Sequence, residues 1–525
     1  VDFFRGLLSV DIFGDFSFVG GEGRAPNRYQ DDQETVNFYC EVSPSKAAKT
    51  AIGLLGTPGL IQLVTAGPTL EPLGSVWPQP SAVTNLPVRG SWVFPGNIQA
   101  LVVIANAAYL VTIVSLGSST IPGVLSMTQV GTLLTNSGFV SIRDDGLGGY
   151  AVIVDGPFGY IYTGATQTFT QITDPGFLGS NTVAFIDGWW IFNQPGTSTF
   201  YTNALPYAIT FNASLFANKD AFSDKLMGVM ESKEELWLLG EKTTEIWYNA
   251  GGQYFAFQRL VGTLLQVGCK AVGSIARFSS EGQDGLIWLG RSDRGENVVI
   301  KTKGFGAQVV STPAISDAIA KYTVTSDAIG YTYQEDGHEF YVLTFPTADR
   351  TWVFDASVPL EFGWHQRLSY DPYAQAFHRH RSNCFMNFAG MRIVGDYQNG
   401  SLYQMTRSAY TDAGWPILAR RRAPYIWSKE NRERVFMASL QLDFVPGVGT
   451  SSGLGQNPVA NLRIAHDGPN SFGQAWPLPM GTIGNNRNRC MMRRLAMGRN
   501  DLVEVEVIAP VNRDLVGATL KAFSP

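Results

Sequence analysis

The residue types that carry most enzyme chemistry are thin in this sequence: five histidines and four cysteines are spread over 525 residues. His378-Arg379-His380 is the one histidine cluster, and alternate positions on a strand turn both rings to one side, as a metal site needs. No other ligand type gathers beside it, so a solvated loop is the expectation. His338 follows a tight turn and His365 adjoins Trp364; both read as packing residues rather than as bases. Cys40, Cys269, Cys384 and Cys490 stand far apart with no CxxC pair, which is neither a zinc signature nor a disulfide framework. Buried free thiols, in a protein made in a reducing compartment, are expected instead. Asp145, Asp155, Asp187 and Asp336 fall in turns, where a carboxylate shapes backbone. A pair of carboxylates brought together from distant segments stays open. No Gly-rich loop leads from a strand into a helix, so no nucleotide site is indicated. The expectation is a chain with no catalytic residues, no cofactor and no metal: not an enzyme.

His466-Asp467-Gly468 opens HDGPNSFGQAW, faintly similar to the Asp-box hairpins of sialidase-type propellers. Ala465 stands where that box has Ser, and the spacing to Trp476 is long, so glycosidase chemistry gains little from it. Trp189, Trp190, Trp237, Trp247, Trp288 and Trp352 could stack on sugars if exposed, which keeps a carbohydrate-binding or carbohydrate-active protein as the alternative. Each lies within a β-run, where packing is the simpler role. Charge gives the clearer signal. Net charge is −5, but from Thr411 onward 14 Lys/Arg face 9 Asp/Glu, a balance of +5, which leaves 25 against 35, or −10, for the rest. A basic terminal segment on an acidic body points to docking rather than to a reaction.

The elements that hold these residues are β. With 16% charged residues, 12% aromatics and 56 glycines, turns and strands are favoured over helices. Residues 328–366 read as four short antiparallel strands: one ending at Glu335-Asp336-Gly337, His338 to Phe345, Thr351 to Phe354, and one starting near Trp364. Such a meander is marginal alone and needs neighbours of its own kind. Leading strands near residues 91, 138, 182, 227, 272, 328 and 384 supply them at roughly 43–56 residues, the period of propeller blades. The fold predicted is all-β, a β-propeller of about seven four-stranded blades over 71–405. An N-terminal arm over 1–70 precedes it, and a basic antiparallel β domain or closing extension over 406–525 follows. A two-sheet sandwich array is the other reading of short strands and turns. The run Ala100 to Leu116 is nearly long enough to span a bilayer, yet Asn106 interrupts it and no Lys/Arg flanks it. Two buried strands meeting near Asn106-Ala107 fit better, so no stable membrane insertion is expected. The first 16 residues lack the basic region of a signal peptide.

Four strings go further: VNFYCEVSP…LLGTPGL (36–60), GEKTTEIWYNAGG (240–252), WLGRSDRGENVVIKTKGFGAQVVST (288–312) and SDAIGYTYQEDGHEFYVLTFPTADRTWVFD (326–355). They resemble the packaged-DNA stabilisation proteins, the tail hub or nozzle subunits, of short-tailed double-stranded DNA phages, and the similarity spans most of 18–520. Cys40 and Glu41 depart from the family's Tyr-Pro-Glu run, and 1–17 have no counterpart. The resemblance implies a propeller subunit in a six-fold homomeric ring of the virion tail, made in the bacterial host cytoplasm. Its implied partners are the portal-adaptor ring, tail fibres or tailspikes, a needle or plug protein, and double-stranded DNA passing through the channel without sequence recognition. On that reading the arginines Arg420, Arg421, Arg422, Arg432, Arg434, Arg487, Arg489, Arg493 and Arg494 are the docking residues, since guanidinium groups form bidentate carboxylate pairs.

Overall fold

The strand Gln99–Ile104 is buried at every position after the first. Its alternate side chains serve two different cores. Ala100, Val102 and Ile104 pack with Met386 and Phe388, whereas Leu101 and Val103 pack with Val140 and Ile142. The chain then turns at Ala105 (φ +48°) into Ala107–Ser115. The apolar run is thus a hairpin whose faces touch two neighbouring sheets, and among the described residues no helix is long and apolar enough to cross a membrane. The computed structural model describes residues 18–45, 50–66, 85–115, 123–222, 224–252, 254–280, 283–428 and 433–523.

The same two-faced burial repeats around a ring of seven antiparallel sheets. Blade 1 starts at Val88–Val93, blade 2 at Ser141–Asp144, blade 3 at Val183–Ile186 and blade 4 at Leu226–Ser232. Blade 5 starts at Ala276–Ser280, blade 6 at Ile329–Glu335 and blade 7 at Ser382–Phe388. A separate hydrophobic cluster fills each of the seven seams between neighbours. The last seam closes the circle: Asn383 donates from Nδ2 to the Val88 carbonyl at 2.8 Å, and the first strands of blades 7 and 1 pack together. The fold is a seven-bladed β-propeller.

Blade 6 follows the predicted meander closely, as Ile329–Glu335, His338–Phe345, Arg350–Asp355 and Trp364–Gln366. Its first turn places Asp336 and Gly337 at φ +51° and +88°, the double left-handed geometry of a tight hairpin. Two details differ from expectation. Val272–Ser274 form a 3-10 turn, so the blade 5 strand begins only at Ala276. A short helix, Pro313–Ala320, follows blade 5; Pro313 opens it and the Thr312 hydroxyl accepts the Ile315 N–H.

Blade 7 takes its fourth strand from far upstream. Gly59–Thr65 pairs antiparallel with Ser401–Thr406, so a segment preceding every blade completes the last one. The strand Glu34–Val36 inserts between Trp364–Gln366 of blade 6 and Ala419–Arg422, extending blade 6 into a nine-stranded sheet that runs on through Leu502–Val507, Val459–Ala465 and Trp476–Pro479. Phe38–Val42 and Ile52–Gly56 join a second, five-stranded sheet with Leu515–Phe523, Val435–Phe444 and Cys490–Gly498. The two sheets enclose one core that includes Phe38, Leu54, Leu440, Leu462 and Val505. Asn37 is the switch between them. It sits at φ +56°, donates from Nδ2 to the Leu368 and Leu418 carbonyls at 2.8 Å, and accepts the Leu368 N–H at 2.9 Å. Asn is one of the few residues with a side chain that visits this region readily. All four cysteines are free thiols, three of them buried.

Candidate functional site

The arginine row Arg420-Arg421-Arg422 lies on the strand Ala419–Arg422, flanked on one side by Glu34–Val36 and on the other by Leu502–Val507. Register puts Arg420 opposite Glu506 and Arg422 opposite Glu504, with Val505 between them opposite Arg421. Strand alternation therefore sends the outer two arginines to one face and the middle one to the other. Arg420 binds Glu506 (Nη2 to Oε1, 2.6 Å). Arg422 binds Glu504 (2.7 Å) and Asp32 (2.6 Å), and lies 3.2 Å from Glu34. Arg24 and Arg28 reach the same acids from the lead-in loop. Arg421 is 0% exposed and donates to the Phe18 and Gly21 carbonyls, Thr35 Oγ1 and Gln33 Oε1, all within 2.9 Å. Its acceptors are neutral, and burial depresses its guanidinium to about 10.

This geometry corrects the docking role expected for Arg420, Arg421 and Arg422. They are consumed inside the chain, holding the lead-in segment to the C-terminal sheet. The alternation Glu504-Val505-Glu506 was the signal in the sequence that could have paired them. Arg432 lies outside the described residues. Arg434, Arg487, Arg489, Arg493 and Arg494 are exposed, and no ion pair engages them among the described residues. Arg487 and Arg489 occupy the turn before Cys490–Gly498, and Arg493 and Arg494 lie on that strand, where Arg493 stands opposite Ser439.

His338, His365 and His380 are interior, whereas His378 and His466 are half exposed beside Asp349 and Asp501, and of the candidate tryptophans Trp189 is only partly buried. His380 is 2% exposed, with Nδ1 2.7 Å from Ser382 Oγ, so the predicted solvated loop is instead a strand end tucked into the fold. Burial, then the charge of Arg367, holds His365 well below the usual imidazole range. His338 lies between two carboxylates, Asp355 and Glu41, at 2.6 Å each, and so ties Phe38–Val42 to blade 6. Among the described residues no group of three His, Cys, Asp or Glu could hold a metal ion. Trp190, Trp237, Trp247, Trp288 and Trp352 are buried in blades, with no face left to present to a sugar. The turn aspartates shape backbone as expected: Asp145 accepts three N–H groups, from Leu147, Gly149 and Tyr150.

Sequence reasoning missed the mouth of the propeller axis. The ends of the first strands of blades 3 to 7 surround a cavity of about 610 Å³. On its floor Glu231 contacts Arg143 of blade 2 and binds Arg277 of blade 5 at 2.5 Å, while its second oxygen accepts the Phe185 N–H at 3.0 Å. Arg143 in turn stacks 4.6 Å over the Trp92 ring of blade 1. Burial first, then the charge of Arg277, lowers the Arg143 guanidinium to about 9. Glu335 and Arg392 join blades 6 and 7 at 2.8 Å. Glu339 accepts the Ser279 N–H at 2.6 Å, and burial raises its carboxyl above the ordinary range. Ser232 is 7% exposed and lines the cavity, yet its Oγ finds no hydrogen-bond partner among the described residues. Phe185, Phe278, Tyr333 and Phe385 supply aromatic wall. Charged groups on aromatic walls, drawn from several rigid sheets, make a surface for recognition.

The family model described as bacteriophage P22 Gp10, beta-propeller, matches residues 103–410, more than half of the chain and nearly all of the seven blades. The chain belongs to that family. It is a phage structural protein and a component of the virion. No curated protein shows significant sequence similarity. Among solved structures, PorZ, a surface component of the type-IX secretion system of Porphyromonas gingivalis, is 14% identical, with a TM-score of 0.34, over 62% of this chain and 38% of that one. The Neurospora crassa Pan2 WD40 domain is 7% identical, with a TM-score of 0.37, over 61% of this chain and 89% of that one. The computationally designed Ika8 protein is 9% identical, with a TM-score of 0.36, over 63% and 99% respectively. Likenesses of this size carry no weight for function.

Proposed function

We propose that this chain is one subunit of a six-fold ring in a phage tail, placed below the portal and adaptor. The ring prolongs the DNA channel, helps retain the packaged genome and anchors fibres or spikes. The observation that carries the reading is the family match across the propeller. Physical chemistry agrees with it. A duplex that must be held at rest and slide on release is slowed by a wall of unpaired cations, because neutralised phosphates release counterions. The body over 1–410 has a balance of −10, and its buried arginines, Arg89 and Arg367, are hydrogen-bonded within the chain. Arg487, Arg489, Arg493 and Arg494 are exposed with no ion pair among the described residues, and they suit docking to an acidic surface of a neighbouring copy or of the adaptor. The role asked of the subunit is mechanical, and the circular closure of seven sheets suits a stiff part.

The test is oligomeric mass. Native mass spectrometry or rotational averaging of stained particles, with the purified chain alone and with adaptor-bearing capsids, is expected to give six copies. A monomer under both conditions overturns the ring.

A further inference from the structure

The mouth of the propeller axis has more acid than base. Asp187, Glu231, Glu234, Asp284 and Glu339 face it, against Lys233, Arg277 and Arg392. Two of these cations are already engaged, Arg277 by Glu231 and Arg392 by Glu335. Glu231 is likewise occupied, by Arg143 and Arg277. Glu339, which accepts the Ser279 N–H, stands near Asp284, the cross-strand partner of Ser279; burial and then the Asp284 charge raise the Glu339 carboxyl, and neither acid forms an ion pair among the described residues. Lys301, whose ammonium sits 5.8 Å from the Phe278 ring centroid, offsets part of the Glu339 charge and Arg277 part of the Asp284 charge, yet neither cation forms an ion pair with these two carboxylates. Glu339 is 9% exposed, and a buried carboxylate with no ion-pair partner is costly, while Asp284 stands exposed at the rim beside it. The orphaned hydroxyl of Ser232 in the same cavity marks a second unmet polar demand. Around both stand aromatic rings that would cover an aliphatic stem or stack on a planar cation.

We propose that this mouth receives the side chain of an arginine or lysine carried on a loop of a partner protein. The guanidinium or ammonium would sit between Glu339 and Asp284, with its stem along Phe278 and Tyr333. The acidic lining disfavours nucleic acid, and a cavity of about 610 Å³ is of the size that holds one small ligand or a loop tip. The inference rests on the propeller's own geometry and stands or falls separately from the ring.

The experiment uses the full chain and small probes: Nα-acetyl-arginine amide, its lysine counterpart, and Nα-acetyl-citrulline amide, the neutral isostere of the arginine compound. Ligand-observed NMR at low salt should show the arginine or the lysine probe binding at least tenfold more tightly than citrulline. The preference between the two cations tells a planar, stacking group from a point charge. In an E339Q/D284N variant the cationic probe should weaken at least tenfold while citrulline is unchanged. Equal binding of the cationic and neutral probes, no binding of any of them, or unaltered binding to a folded variant overturns the proposal. If the variant does not fold, the cation-against-citrulline ratio on the unaltered chain decides.

Discussion

At the scale of residues, ionisable groups in this chain work mainly as fasteners, and the protonation of His338 should be felt from neutral to mildly alkaline pH. Burial alone would push its imidazole down, but the hydrogen bonds and charges of Asp355 and then Glu41 outweigh that and raise it to about 9. A base raised on folding contributes its stability fully below its unfolded value near 6.5 and loses it as pH climbs through 9. The shift corresponds to about 3 kcal/mol. Urea unfolding of the native chain and of H338Q should therefore show a stability difference that is full at pH 6 and shrinks by about 3 kcal/mol by pH 9.5. Glu22 and Asp412, which burial raises to about 7 and about 6, have ionised over most of that window and remain in both proteins, so they cancel in the comparison. A difference that stays flat from pH 6 to 9.5 would mean that the histidine is not charged between its two carboxylates.

At the scale of elements, the closing strand is where a small change should travel furthest. A Cβ on Gly59 would stand 2.6 Å from the carbonyl oxygens of both Ala409 and Thr411. Those are backbone atoms that cannot swing aside, so Gly59→Ala should cost about 1–3 kcal/mol by overpacking. Hydrogen exchange locates the damage: amides of Ser401–Thr406 should lose protection before those of blade 3 do. Equal loss in both places would argue against a local seam. The same strand shows what could be read in advance. Inner and middle strands were legible because burial on two faces demands near-continuous Val, Ile, Leu and aromatic residues, as in VAFI, WWIFN and HEFYVLTF. Outer strands such as TFTQ, FQR and GAQV are short and largely solvent-facing, so no hydrophobic pattern marks them. Pairings across hundreds of residues, Gly59–Thr65 with Ser401–Thr406 or Arg422 with Asp32, leave no trace in local spacing. For that reason the arginine row read as free charge, and the axial mouth, assembled from five blades, did not register.

At the scale of the whole molecule, acid and base are sorted by position. Several seams and the lead-in segment hold paired charge, and a group of arginines near residue 490 is exposed without an ion pair among the described residues. Because Arg487, Arg489, Arg493 and Arg494 form no ion pair among the described residues, replacing all four with serine should shift stability by only about 0.5 kcal/mol per site. Attachment to the adaptor or to neighbouring copies should fall at least tenfold and lose its dependence on salt. Loss of fold instead of loss of attachment, followed by melting temperature and by sedimentation, would mean that these arginines are structural after all.

Completion of blade 7 by Gly59–Thr65 also sets an order of events during synthesis. The ribosome makes that segment before any of the blades, yet its partner Ser401–Thr406 arrives only after more than 330 further residues. Until then an unmatched β edge is present on the nascent polypeptide, the kind of edge that recruits wrong partners. The circle can latch only after the final wedge exists, so a chain interrupted anywhere upstream of residue 401 leaves an open fan with two sticky rims, a product for proteases rather than a usable half.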